Sequence, residues 1–248
     1  MRPEPPQKHN PHKLTIWQHV FPAKSIGRFA GADGTVSVTL CETGRQFRVP
    51  PEDRIFSAKR VWDQRAETGY MKDIEDNFQA LADQIVDGRR SLDSEHYRVA
   101  RMFFALWWLR FSARNSPTPD GVLVGIEPDA LSRDQQEILE AKGVAYIRAD
   151  RKMPGRVLSG SQIQMDIDRF EACYAGLRWG VATAAKGEFI LPDTFGQLMA
   201  VPVTPTICLV GDHENVEMPP SEVSRFNRLA VQSAKTYFIA RDPTHCLR

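Results

Sequence analysis

Inside "GADGTVSVTLCETGRQFRVPP", Val36, Val38 and Leu40 alternate with polar residues, the period of a half-buried strand. Asp33-Gly34 and Thr43-Gly44 bracket it as turn signals, so the segment predicts a β-hairpin. The period then becomes helical. Residues 61–87 predict one long helix stopped by Gly88, and 94–114 a second helix ended by "NSPTP". Further on, "GVLVGI" and "VAYIRAD" predict short strands around an amphipathic helix over 129–142. Another helix is predicted over 161–178, with Ile163, Ile167, Phe170 and Tyr174 at helical spacing. "WGVATA", "EFILPD", "LMAVPVT" and "TICLVG" are β-prone pieces. A helix over 220–234 and the strand "TYFIARD" follow them.

An N-terminal hairpin, long central helices and a C-terminal mixed or antiparallel sheet together predict an α+β fold. The 248 residues suffice for one domain with its own core, or for two lobes over 9–118 and 119–248. Residues 1–8 are Pro-rich and expected to be flexible. The most apolar run, "MFFALWWLRF", is too short to span a bilayer and contains Arg110, so it predicts a buried helix. "MRPEPPQKHN" has no apolar secretory run, and Cys41, Cys173, Cys208 and Cys246 lie far apart without ligand spacing. A reducing cytoplasm with reduced thiols is the expected compartment.

Charge changes this picture only locally. The formal net charge is +1, which excludes a global attraction to nucleic acid or anionic membrane. Residues 1–65, however, hold eleven Lys and Arg against six Asp and Glu. That basic lobe could meet a polyanion, or its charges could be paired later in the chain.

The helix from residue 61 carries "WDQRAETGYMKDIEDNFQALADQIV". At about 100° per residue, Ile74, Phe78, Leu81 and Ile85 fall within roughly 60° of one another. Glu67 lands inside this apolar stripe and Glu75 at its edge, with Gly69 able to shift the register. A carboxylate on a core stripe must be paired, metal-bound or protonated. The next helix offers Arg110, on a stripe with His96, Phe103, Trp107 and Arg114. A Glu67–Arg110 pair between two packed helices satisfies both groups. It could be a structural clamp, or part of a polar site in which Glu67 and Glu75 act together.

Several short signals occur in order: "QHVFPAKSIGRFA", the paired glutamates of "FSAKRVWDQRAETGYMKDIEDNF", "FFALWWLRFSARN", "GEFILPDTF", "AVPVTPTICLV" and "NRLAVQSAKTYFIARD". This order resembles the bacterial domain-of-unknown-function family numbered 4238. That family has a His-x-x-Pro opening, a paired-Glu helix, a Ser-Asp-x-Pro segment and a Pro-Leu-x-Pro strand. Pro192 stands where the family has Ser, and Thr194-Phe195 where it has a residue followed by Pro. The resemblance singles out His19, Pro22, Phe29, Glu67, Glu75, Arg110 and Asp193, and supplies an architecture but no reaction.

Two functions remain open. In an enzyme, His19, Glu67, Glu75 and Asp193 would be catalytic. His19, Glu67 and Asp193 would hold a divalent Mg²⁺, Mn²⁺ or Zn²⁺ acting on a phosphodiester as a metal-dependent nuclease. In a non-enzymatic binding or inhibitory protein, Trp17, Phe21, Trp62, Arg65 and Arg110 would meet a protein or nucleoprotein partner of bacterial defence or mobile-element type. No HNH, P-loop, GxSxG or HExxH signature and no Gly-rich phosphate cradle is present, and no cofactor is implied outside the enzyme. The binding function demands less, because it needs no unseen convergence of distant residues. His9, His12 and His213 are expected at the surface.

Overall fold

The computed structural model describes residues 4–128, 130–196 and 198–246. The chain opens with a strap over residues 4–14, then Trp17–His19 (β1), Ala23–Gly27 (α1), Val36–Leu40 (β2) and Gln46–Val49 (β3). A short 3-10 turn leads into Ser57–Lys59 (β4). The helical middle comprises Gln64–Thr68 (α2), Tyr70–Val86 (α3) and Ser94–Asn115 (α4). Gly121–Val122 (β5), Arg133–Ala141 (α5), Lys152–Met153 (β6) and Gly155–Cys173 (α6) follow. The last third holds Trp179–Ala184 (β7), Leu191–Pro192 (β8), Ala200–Thr204 (β9), Ile207–Gly211 (β10), Val216–Met218 (β11), Pro220–Ser233 (α7) and Tyr237–Ala240 (β12). The fold is mixed α+β, as the pattern predicts.

The predicted hairpin is β2–β3, with Gly34 and Gly44 both at positive φ in its turns. Its sheet continues to the far end of the sequence in the order β3-β2-β12-β8, all antiparallel. Strands from both predicted lobes therefore share one sheet. A second sheet, β11-β7-β10-β9, is antiparallel except for the parallel pair β11–β7. Two small ribbons, β1–β4 and β5–β6, complete the pairing.

Several elements differ from the pattern. The long helix breaks at Gly69 into α2 and α3. A Cβ on Gly69 would lie 2.6 Å from the Arg65 carbonyl oxygen, so the break needs glycine. Asp63, not Val61, begins the first piece, its carboxylate accepting from the Ala66 N–H. "VAYIRAD" forms no strand, and "GVLVGI" pairs only at β5, with Val122, Val124 and Ile126 exposed. An apolar run without a face to bury has no reason to extend a ladder.

The expected helix start at Asp129 lies outside the described residues. The helix begins instead at Arg133, under a Ser132–Gln135 capping box. Its buried face is acidic: Glu137 and Glu140 turn inward while Ile138 and Leu139 are only half-buried. α6 starts at Gly155, earlier than its apolar spacing implies.

The core gathers between α3, α4 and the two larger sheets. Phe78 and Phe103 stack with ring centroids 3.6 Å apart, and Phe21 meets Phe103 and Trp107 edge-on at 5.5 and 4.8 Å. Among the described residues no helix is long and apolar enough to cross a membrane.

Candidate functional site

The helix pair brings most of the predicted polar residues together. Arg110, on α4, is buried, and its guanidinium bonds Glu75 on α3. It lies 3.9 Å from Glu67 on α2 and 5.2 Å above the Trp62 ring. The Trp62 indole N–H donates to Glu67. The expected Glu67–Arg110 pair is thus present, but Glu75 is the closer partner, because the break at Gly69 rotates Glu67 off the axis of α3. Burial pushes the Glu67 carboxyl above its ordinary range, against the opposing charge of Arg110 and the Trp62 bond.

His19 completes this cluster from β1. Burial lowers its basicity, with the Glu75 carboxylate opposing, so the imidazole is neutral at pH 7. Among the described residues, its buried Nε2 has no hydrogen-bond partner.

Asp193 does not join them. Its carboxylate accepts from the backbone N–H groups of Lys235, Thr236 and Tyr237 at 2.9, 2.7 and 3.4 Å. Its own N–H donates to the Tyr237 carbonyl, and its carbonyl accepts from the Trp107 indole at 2.9 Å. Asp193 therefore pins the turn before β12 against α4. Burial raises its carboxyl even so. Among the described residues no three His, Cys, Asp or Glu side chains are placed to share a metal ion. The proposed His19–Glu67–Asp193 ligand set is not assembled, and Arg110 fills the space between Glu67 and Glu75 where a cation would sit.

The predicted binding surface also changes. Phe21 and Trp62 are core residues, 4% and 1% exposed, and Arg110 is enclosed with them. Apolar aromatics beside a helix pair are drawn into its core. Trp17 and Arg65 do reach the surface; Arg65 turns toward Ser161. His12 meets Asp134 at 2.8 Å, His9 is exposed, and His213 is exposed in a loop.

Trp17 leads to the site that the pattern misses. Arg54 and Lys59 lie 4.9 and 5.6 Å from its ring. It stands at a cavity of about 580 Å³ lined by Lys59, Arg60, Arg114, Arg148 and Arg156, with Glu4 and Asp120 as the lining anions among the described residues. Behind it, the buried Glu140 of α5 accepts from Arg60 at 2.8 and 2.9 Å and from Arg156 at 2.7 to 3.1 Å. Burial opposes its ionisation, but the Arg156 bonds and the charges of Arg156 and Arg60 outweigh it and hold the carboxyl below its ordinary range.

Arg156 also bonds the Tyr146 hydroxyl, and burial pushes that phenol up to about 12. Arg60 takes φ of +49°, a conformation costing about 1–2 kcal/mol for an L residue, at the turn that leaves β4. Arg148 bonds Asp120 at 2.7 Å. Among the described residues, Lys59 and Arg114 have no carboxylate at ion-pair distance; the Arg114 guanidinium lies 6.0 Å from the centre of the Tyr237 ring. A second cavity, of about 590 Å³ between Phe104, Trp108 and Leu198, lacks this concentration of cations.

"RADRKMPGR" carries Arg148, Arg151, Lys152 and Arg156 around a Pro-Gly helix start, and this basic run was the available signal. No protein-family model, curated protein or solved structure matches the chain.

Proposed function

We propose that the protein is a non-enzymatic binding protein whose partner presents single-stranded nucleic acid, alone or in a nucleoprotein. A role in bacterial defence or in a mobile element, in a reducing cytoplasm, belongs to the same proposal. One observation carries it: the exposed Trp17, flanked by Arg54 and Lys59, lines a cavity whose cations exceed its anions. An aromatic face beside cations suits a base and its phosphate, because every base has a face to stack. The free thiols of Cys41 and Cys173 sit at the surface, in keeping with a reducing compartment.

The polar helix pair supports the same choice over a metal-dependent nuclease. Glu75 and Glu67 share a buried guanidinium, and Asp193 spends its oxygens on backbone N–H groups. The resemblance to family 4238 names these same positions, and they serve here as structural clamps.

Fluorescence anisotropy with a short labelled DNA or RNA strand tests the proposal. Affinity should fall as salt rises from about 50 to 200 mM. Trp17→Ala should weaken binding by about 1–3 kcal/mol, the worth of one stacked base. Absence of salt-dependent binding to either strand would sink it.

A further inference from the structure

We propose that the Arg148–Arg156 side of the cavity is a receptor for a terminal phosphate, and that the Glu4 carboxylate is its built-in competitor. This rests on the nucleic-acid proposal above and adds which part of the strand that side of the cavity takes.

A single oxygen of Glu4, Oε2, receives Arg148 at 2.6 Å and Arg156 at 3.0 Å. Arg60 adds a bond to the Glu4 carbonyl at 3.3 Å. Three guanidinium groups from β4's exit, the loop before β6 and the start of α6 thus converge on one anionic residue.

The anions there are unequal in permanence. Glu140 is buried and chelated by Arg60 and Arg156, so it is fixed. Asp120 accepts from the Gly155 N–H at 2.8 Å as well as from Arg148, which ties it to the start of α6. Glu4 is the most exposed of the three, at 39% of its side chain, and belongs to the strap. The strap's backbone is held independently of that carboxylate: Arg60 bonds the Glu4 carbonyl, Arg133 the Pro5 carbonyl, Gln7 bonds Glu137 and Asp134, and His12 bonds Asp134. The Glu4 side chain can rotate out without releasing those anchors. Its departure leaves Arg148 and Arg156 facing the cavity, with Lys59 and Arg114 nearby and unpaired by carboxylates.

A phosphate monoester matches that vacancy better than the carboxylate does. It brings three acceptor oxygens and nearly two negative charges, so Arg148 and Arg156 can each address a separate oxygen instead of sharing one. A phosphodiester inside a strand carries one charge and two free oxygens, and its flanking sugars would have to enter the cavity. A strand end needs to admit only one nucleotide, and about 580 Å³ lies within the range of about 300–1,000 Å³ usual for small-ligand sites. Trp17, which lines the same cavity, then stacks a base while the phosphate meets Arg148 and Arg156.

The test is anisotropy with the full chain and one internally labelled oligonucleotide, carrying terminal phosphates or terminal hydroxyls. The phosphorylated strand should bind about tenfold tighter. Glu4→Gln should widen that preference, because the phosphorylated strand gains more than the hydroxyl strand from the vacated guanidinium groups. Arg148→Gln, checked for a native melting curve, should erase it. Excess inorganic phosphate should remove the preference without abolishing binding.

Equal binding of both strands, in wild type and Glu4→Gln alike, would overturn the receptor and leave the nucleic-acid proposal standing. Binding of neither strand would overturn both. Thermal stabilisation by inorganic phosphate, lost in Arg148→Gln but without any strand-end preference, would overturn the strand end and assign that side of the cavity to free phosphate.

Discussion

Arg110 and Arg156 are both buried guanidinium groups held by carboxylates, yet their surroundings differ. Arg110 is a lone cation between Glu67 and Glu75, with an aromatic face beneath it. Arg156 shares Glu140 and Glu4 with Arg60 and Arg148, and more cations line the cavity beyond. In the first cluster negative charge matches or exceeds positive, so nothing anionic is invited. In the second the fixed anions fall short, and the remaining positive potential opens onto a cavity. Burial of an arginine alone does not mark a binding site; the local balance of fixed charge does.

Removing the anion at the centre of the cavity cluster should have the largest effect. Glu140→Ala leaves Arg60 and Arg156 buried without their shared partner and should cost about 3–5 kcal/mol. Urea denaturation measures it; a loss under about 1 kcal/mol would mean that water reaches these groups freely.

The matching change in the other cluster, Arg110→Leu, should cost less, about 2 kcal/mol, because Glu67 and Glu75 are partly exposed and can turn to water. Oligonucleotide binding should survive it. A loss of binding in folded Arg110→Leu would reverse the roles assigned to the two clusters.

Acidity separates them by sign. Glu140 is held below its ordinary range, so its stabilisation is present above about pH 4.5 and is lost as pH falls through the depressed value. Glu67 is raised, so the folded state favours its proton, and stability declines as pH rises from about 4.5 through the raised value. Glu67→Gln should therefore gain stability relative to wild type across that rise. Paired denaturation curves at several pH values would show the crossover, and parallel curves would contradict it.

The smallest stability effect belongs to Lys59→Gln, within about 0.5 kcal/mol. Its mark should be a log–log salt dependence of binding shallower by about one.

Much of the fold was legible because apolar spacing reports burial. The hairpin, α3, α4, β7, β9, β10, α7 and β12 all follow it. It failed where burial is not apolar. α5 buries Glu137 and Glu140, so its hydrophobic pattern says nothing of what it packs on. Gly69 was visible as a weak point, but the rotation it imposes on Glu67 depends on the backbone of Arg65.

Site prediction divides the same way. Glu67, Glu75, Arg110 and His19 could be gathered from helix geometry and motif order, since the first three share a local frame. Asp193's partners come from the turn before β12, more than forty residues later. The cavity draws Glu4, Arg60, Arg114, Arg148 and Arg156 from across the chain, and no periodicity joins them. Trp17 was recognisable as exposed; Phe21 and Trp62 were not recognisable as core until the helix pair was placed.

The most direct measurement compares strand affinity in two folded double variants, Lys59→Glu with Arg114→Glu, and Glu67→Gln with Glu75→Gln, each checked by circular dichroism. The account predicts that the first loses at least about tenfold in affinity while the second matches wild type. Loss of binding in the second with the first unchanged would contradict it.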